Sequence, residues 1–228
     1  MSGTVFGQSV LRNQTFQNMG YTMKEIKLLG VVVGIFISSV GFSQNSYFDV
    51  MLAGRNVGSL RVFSDDVKSD AETHRIESDF KFLFYSGRYT IQSQYAQGKL
   101  LHADASHHVN GDLKERTQTK RSDSPMYQVL FSGEDAPKSD KKELNHPIRN
   151  TITGLYYKEP VNVSEVYSER YGLMCSVKKL SEGLYGVALP GGKQGIYTYR
   201  NGQCRVVEQD LAGFKLRIVR NDSKSVSR

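Results

Sequence analysis

The sequence predicts an all-β protein: a curved antiparallel sheet or half-open β-barrel with at most one short helix. Three observations lead there. Short runs of alternating apolar and polar residues succeed one another from residue 46 to residue 220. The gaps between them are brief and turn-competent, above all Asn110-Gly111 and Asn201-Gly202, the pairing that two-residue hairpin loops favour. Thirteen Tyr and eleven Phe, with no Trp, supply cross-strand aromatic partners.

The runs follow in order. SYFDVML (46–52) and VGSLRVF (57–63) flank Ala53-Gly54-Arg55-Asn56 as a first hairpin. THRIESDFKFLFYS (73–86) puts Phe80, Phe82 and Phe84 on one face, and RYTIQSQYAQ (88–97) aligns Tyr89, Ile91, Ser93 and Tyr95. KLLHADASHHV (99–109) and DLKERTQTK (112–120) surround Asn110-Gly111, and MYQVLFSG (126–133) follows. The charged, proline-bounded stretch 134–147 reads as a surface loop. Residues 148–159 admit a short helix capped by Asn150 or Thr151, or a strand broken at Gly154. Closing strands are expected over 168–180, 184–190, 195–200, 203–211 and 214–220. An Asn201-Gly202 loop sets Arg200 opposite Gln203, Tyr199 opposite Cys204 and Tyr197 opposite Val206. Tyr197, Tyr199, Cys204 and Val206 then share the core face.

The chain has 228 residues, and its first part stands outside this pattern. Residues 23–43 read as a signal peptide: Lys24 and Lys27 precede the run LLGVVVGIFISSVGF (28–42), and Gly41 and Ser43 are small residues at a cleavage point. The run is shorter than the roughly 20 apolar residues of a spanning helix, so no transmembrane anchor is expected in the mature chain. Residues 1–22 are polar and unpatterned, the mark of a mis-assigned start before Met23 or of a disordered extension. One β domain is expected over 44–220, a disordered tail over 221–228, and a periplasmic or secreted location after cleavage near Ser43. The formal charge of +7 is interspersed rather than clustered, which with export speaks against a nucleic-acid partner. An oxidising compartment permits a Cys175–Cys204 disulfide, and two separate buried thiols fit the sequence equally.

Few residues carry a chemical signal. On a strand, His102, Asp104, Ser106 and His108 project to one side. Two imidazoles and a carboxylate suit zinc, yet same-face neighbours lie about 7 Å apart, so His102, Asp104 and His108 need outside help to hold one ion. Ser106 lacks a nucleophile elbow. PGGKQG (190–195) lacks the phosphate-loop pattern and a following helix. Lys114, Arg116, Gln118 and Lys120 form a basic strand face, the usual dress of a solvated edge. Tyr156 and Tyr157 are candidates to border a cleft or to serve as ordinary half-buried sheet residues. No motif calls for a cofactor.

YFDVMLAGRNVGSLRVF (47–63), VNGDL (109–113), GLYYKEP (154–160) and GIYTYRNGQ (195–203) together resemble an uncharacterised family of exported bacterial β-sheet domains of unknown function. That family is distantly similar to periplasmic half-barrels of the lipoprotein-carrier type. The resemblance implies a concave sheet that holds an apolar ligand such as a lipid. A binding module for an apolar or amphipathic ligand or an envelope partner protein is then expected to present Phe80, Phe82, Phe84, Tyr89, Ile91, Tyr197 and Tyr199 on its interior face, with Tyr156 and Tyr157 as candidates at a cleft. It implies no catalytic residues. A metal-dependent hydrolase and a purely structural envelope protein are the competing expectations.

Overall fold

Tight reversals lay out the architecture. Ala53, Gln97, Asn110 and Asn201 take positive φ, and so do the glycines that follow them, the backbone that a two-residue hairpin matched to strand twist requires. The computed structural model describes residues 45–63, 71–124, 126–136, 141–211 and 214–224. The expected leader, the N-terminal extension, the last four residues of the expected tail and the Ala212-Gly213 turn lie outside the described residues.

Among the described residues, fourteen strands form one antiparallel sheet. They are β1 (Ser46–Leu52), β2 (Arg55–Phe63), β3 (Ala71–Phe82), β4 (Tyr85–Ala96), β5 (Lys99–Val109), β6 (Asp112–Arg121), β7 (Tyr127–Ser132) and β8 (Lys141–Leu144), then β9 (Glu165–Ser168), β10 (Leu173–Ser181), β11 (Leu184–Ala188), β12 (Gln194–Arg200), β13 (Gln203–Leu211) and β14 (Phe214–Arg220). Each strand pairs with its neighbours in sequence, with two exceptions. The first and last strands pair in mid-sheet, Val50 opposite Ile218, and β8 and β9 are the two free edges. The sheet does not close into a barrel. Helical pieces among the described residues are three short 3-10 turns.

Period-two alternation decides what is inside. Phe48, Val50, Leu60, Val62 and Ile76 are buried with Tyr185, Val187, Tyr197, Tyr199, Cys204 and Val207 in one cluster. Tyr95, Leu100, Ala103, Tyr127, Val129 and Leu144 form a second cluster with Ile148 and Tyr167. Ile148 and Tyr167 belong to the link between the edges and to edge strand β9, which fill the concave side. The Leu100 amide donates to the Ile148 carbonyl (2.8 Å). The Tyr127 hydroxyl donates to the Leu100 carbonyl (3.0 Å) and accepts from the Ile148 amide (3.3 Å). Beyond β9, Thr117 of β6 donates to the Arg170 carbonyl (2.7 Å). Gly172, at φ +60°, lies so near β7 that a Cβ there would come within 2.7 Å of the Phe131 ring. The edge that ends the sheet thus packs against the inner face of the strands that begin it.

Several expectations are corrected. The run 73–97 reverses at Leu83-Phe84, with Leu83 at φ +54°, rather than at Gly87. Gly87 is a strand residue whose missing side chain admits the Phe80 ring; a Cβ there would meet Phe80 Cζ at 2.4 Å. Phe84 consequently leaves the face it was expected to share with Phe80. The Asn201-Gly202 register holds for Arg200–Gln203 and Tyr199–Cys204, then a bulge sets Tyr197 opposite Val207. Val207, not Val206, is therefore the buried valine. The expected loop 134–147 contains β8. Residues 148–159 combine both readings: Thr151 bridges to Tyr167, and its hydroxyl accepts from the Gly154 amide (3.1 Å) at the start of the 3-10 turn Thr153–Tyr156. Cys175 and Cys204 are both buried free thiols.

Candidate functional site

A ladder of stacked rings crosses β3, β4 and β5 and leads out to the β3–β4 hairpin. Tyr89 stacks on His107 (centroids 4.0 Å, planes 5° apart). Phe80 stacks on Tyr89 (6.4 Å) and on Tyr85 (5.7 Å). Arg170 lies over the Tyr89 ring (5.2 Å) and grips Glu115 (2.8 and 2.6 Å), so the ladder's inner end is capped by a partly buried ion pair. Burial, and then the Arg170 charge, push the His107 pKa below its ordinary value despite the opposing field of Glu115. The ring is therefore neutral at pH 7, and its 3.9 Å approach to Glu115 is no ion pair there. Burial pushes the Tyr89 phenol up.

The ladder's outer end is uncovered. Phe82, Leu83, Phe84 and Tyr85 are 38, 74, 97 and 39% exposed. Large apolar residues in such a row are uncommon on a protein surface and mark contact sites. Lys81 and Arg88 flank them, Arg88 held by Asp79 (2.6 Å), and with Gly58, Gly87 and His108 they line a shallow groove of about 520 Å³ beside the tip. This tip contains two expected ligand residues, Phe82 and Phe84; Phe80 and Tyr89 stand behind it. The other four lie elsewhere. Tyr156 and Tyr197 are buried and meet edge to face (6.2 Å). Tyr199 is buried and donates to the Leu155 carbonyl (2.7 Å). These three are filled core, not open lining: the segment between β8 and β9, which itself carries Leu155 and Tyr156, packs against Tyr197 and Tyr199.

Tyr157 borders a second feature at the opposite end of β3, a cavity of about 270 Å³. Its ring stacks on His74 (4.0 Å, 16°). Its hydroxyl lies 2.7 Å from the Phe63 carbonyl and 3.0 Å from that of Arg75, and accepts from the Arg75 amide (2.7 Å), which ties the 3-10 turn to the margin of β2 and β3. His74 Nε2 lies 2.6 Å from Glu72.

The expected metal set is not brought together. His102 and Asp104 sit on the outer face of β5, while Ala103, Ala105 and His107 turn inward. Asp104 is committed to Arg116 (2.6 Å) and Gln118 (3.0 Å). His108 lies past a bulge, opposite Leu113. Among the described residues no group of three His, Cys, Asp or Glu is placed to hold a metal ion.

Sequence reasoning missed Leu83, Tyr85 and His74. The first two were hidden because Phe82-Leu83-Phe84-Tyr85 contains no Gly, Asn or Pro to announce a turn. No local signal marks that reversal.

Among solved structures, the chain is similar to a crystallised β-barrel-like protein of the domain of unknown function DUF1849 from Brucella abortus. The identity is 11%, the TM-score 0.47, and the alignment covers 78% of this chain and 95% of that one. No curated protein matches the chain. A family model, Domain of unknown function (DUF6134), matches residues 48–221, the stretch that runs from β1 to the end of β14, and the chain belongs to that family.

Proposed function

We propose that the chain is an exported, non-enzymatic binding module of the cell envelope, and that it engages a lipid surface through the β3–β4 hairpin tip. The observation that carries this reading is the exposed row Phe82-Leu83-Phe84-Tyr85. Aromatic and aliphatic side chains of this kind partition into the interfacial layer of a bilayer. Lys81 stands beside the tip, where its charge meets anionic headgroups while the apolar side chains dip below it, and Arg88, paired with Asp79, lines the adjoining groove. The leader-like residues 23–43 and the positive net charge, +7 for the whole chain and +5 once residues 1–43 with Arg12, Lys24, Lys27 and Glu25 are removed, support the same setting. The concave face supports an enclosed apolar ligand less well, because Tyr156, Tyr197 and Tyr199 are already packed.

The test is co-sedimentation of the processed protein with phosphatidylcholine vesicles, with and without phosphatidylglycerol. Binding is expected with the anionic lipid, weakening as salt rises, and is expected to be lost in the Leu83→Ser/Phe84→Ser variant. Equal sedimentation of variant and parent, or none by either, overturns the reading. N-terminal sequencing of the exported protein tests the leader; a mature chain that retains residues 28–42 refutes cleavage.

A further inference from the structure

The cavity at the opposite end of β3 carries a second, independent inference. Its wall is built before any ligand arrives. His74 is wedged between Tyr157 and Tyr95 (centroids 4.0 and 5.1 Å). The Tyr157 hydroxyl is spent on the β2–β3 backbone, and the Tyr95 hydroxyl is bonded to that of Thr151 (2.8 Å). One ring nitrogen of His74 is fixed by Glu72; the other, Nδ1, is buried without a partner. Buried polar atoms are seldom left unpaired. A point over Gly154, where a side chain would begin, lies 3.6 Å from both His74 Nδ1 and Thr151 Oγ1, and the glycine leaves it empty.

The charges around the opening are unequal in their commitments. Glu72 is engaged by His74, and Glu159 accepts from the Tyr185 hydroxyl (2.9 Å). Arg149 and Lys158 line the same cavity, are exposed, and make no ion pair among the described residues. Pro160, Val161 and Val163 form an apolar lip. We infer that this cavity binds a small organic carboxylate bearing a short apolar portion. Arg149 and Lys158 take the carboxylate, the valine lip takes the apolar portion, and His74 Nδ1, unpartnered beside the space over Gly154, meets the bound molecule. The volume of about 270 Å³ sits near the lower bound of small-molecule sites and excludes a long acyl chain.

The probe is hexanoate, with hexanol (the same tail, no charge) and inorganic phosphate (charge, no tail) as comparisons. Binding to the full chain is followed by titration calorimetry and by the ring resonances of His74. Hexanoate is expected to saturate and shift those resonances, and to bind roughly tenfold more tightly than either comparison. Arg149→Ala/Lys158→Ala alters only exposed side chains, so the fold is expected to survive, and hexanoate affinity to fall roughly tenfold. Short peptides ending in a free or an amidated carboxyl then separate a chain terminus from a free acid as the natural source. Hexanoate binding no better than hexanol, or unchanged in the double variant, overturns the assignment. Neither result touches the vesicle experiment, whose residues lie at the far end of β3.

Discussion

The hydroxyls of Tyr167 and Thr119 lie 2.7 Å apart with both residues fully buried. Tyr167 belongs to edge strand β9 and Thr119 to β6, so this bond crosses the concave space and joins the last edge to the first half of the sheet. Tyr167→Phe leaves the Thr119 hydroxyl buried without that partner. The expected cost is about 1–3 kcal/mol, read as a lower urea midpoint at unchanged slope. Thr119→Val combined with Tyr167→Phe is expected to recover most of the loss, since neither partner is then orphaned. A double variant as unstable as the sum of the singles contradicts this account.

His107 makes stability depend on pH. Its folded pKa is depressed, so the unfolded chain binds the proton more readily. The sign follows: stability is fully present above about 6.5, the unfolded value, and is lost as pH falls through the folded value. His107→Gln is expected to flatten the difference in unfolding midpoint between pH 7 and pH 5 relative to the parent. Identical pH profiles for the two proteins contradict the assignment.

The two thiols are expected to be inert in the native state. Burial raises the Cys175 pKa to about 11, with the Glu169 charge adding to it, and burial raises that of Cys204 to about 12. Little thiolate exists at pH 8, so a disulfide reagent is expected to titrate neither cysteine until denaturant is added. Rapid labelling of the folded protein argues against this packing.

Gly172→Ala combines two faults: a positive φ of +60° and a Cβ within 2.8 Å of Val129 and 2.7 Å of Phe131. The expected destabilisation is about 2 kcal/mol or more, visible in the thermal midpoint. The exposed Leu83→Ser and Phe84→Ser changes are expected to stay within about 0.5 kcal/mol, so any loss of vesicle binding by them is not a folding effect.

Most of the sheet was legible because alternation and turn chemistry act locally. β1, β5, β13 and β14 coincide with their apolar runs, and both Asn-Gly pairs reverse the chain. What escaped depends on distant partners. The bulge beyond Tyr199 moves Val207 into the core in place of Val206, and no local pattern marks it. β8 reads as a charged loop because only Leu144 of its four residues is buried. The site was the least legible part. Tyr197 and Tyr199 alternate as lining residues would, but the segment that covers them, Tyr156 included, comes from 145–172, and its path over them is set by tertiary packing. Glu72, His74, Arg149 and Lys158 are scattered in sequence, and only the arrival of the 3-10 turn beside β3 assembles them.

The pairing of β1 with β14 has a consequence for how this protein comes into being. The Asn221 amide donates to the Tyr47 carbonyl (2.8 Å), so the chain's opening and closing segments are laid side by side at the seam of the sheet. No intermediate length of polypeptide emerging from a ribosome holds that seam, and β1 waits with one flank bare until residues 214–220 arrive. The seam between β1 and β14 is therefore the last pairing the chain can complete.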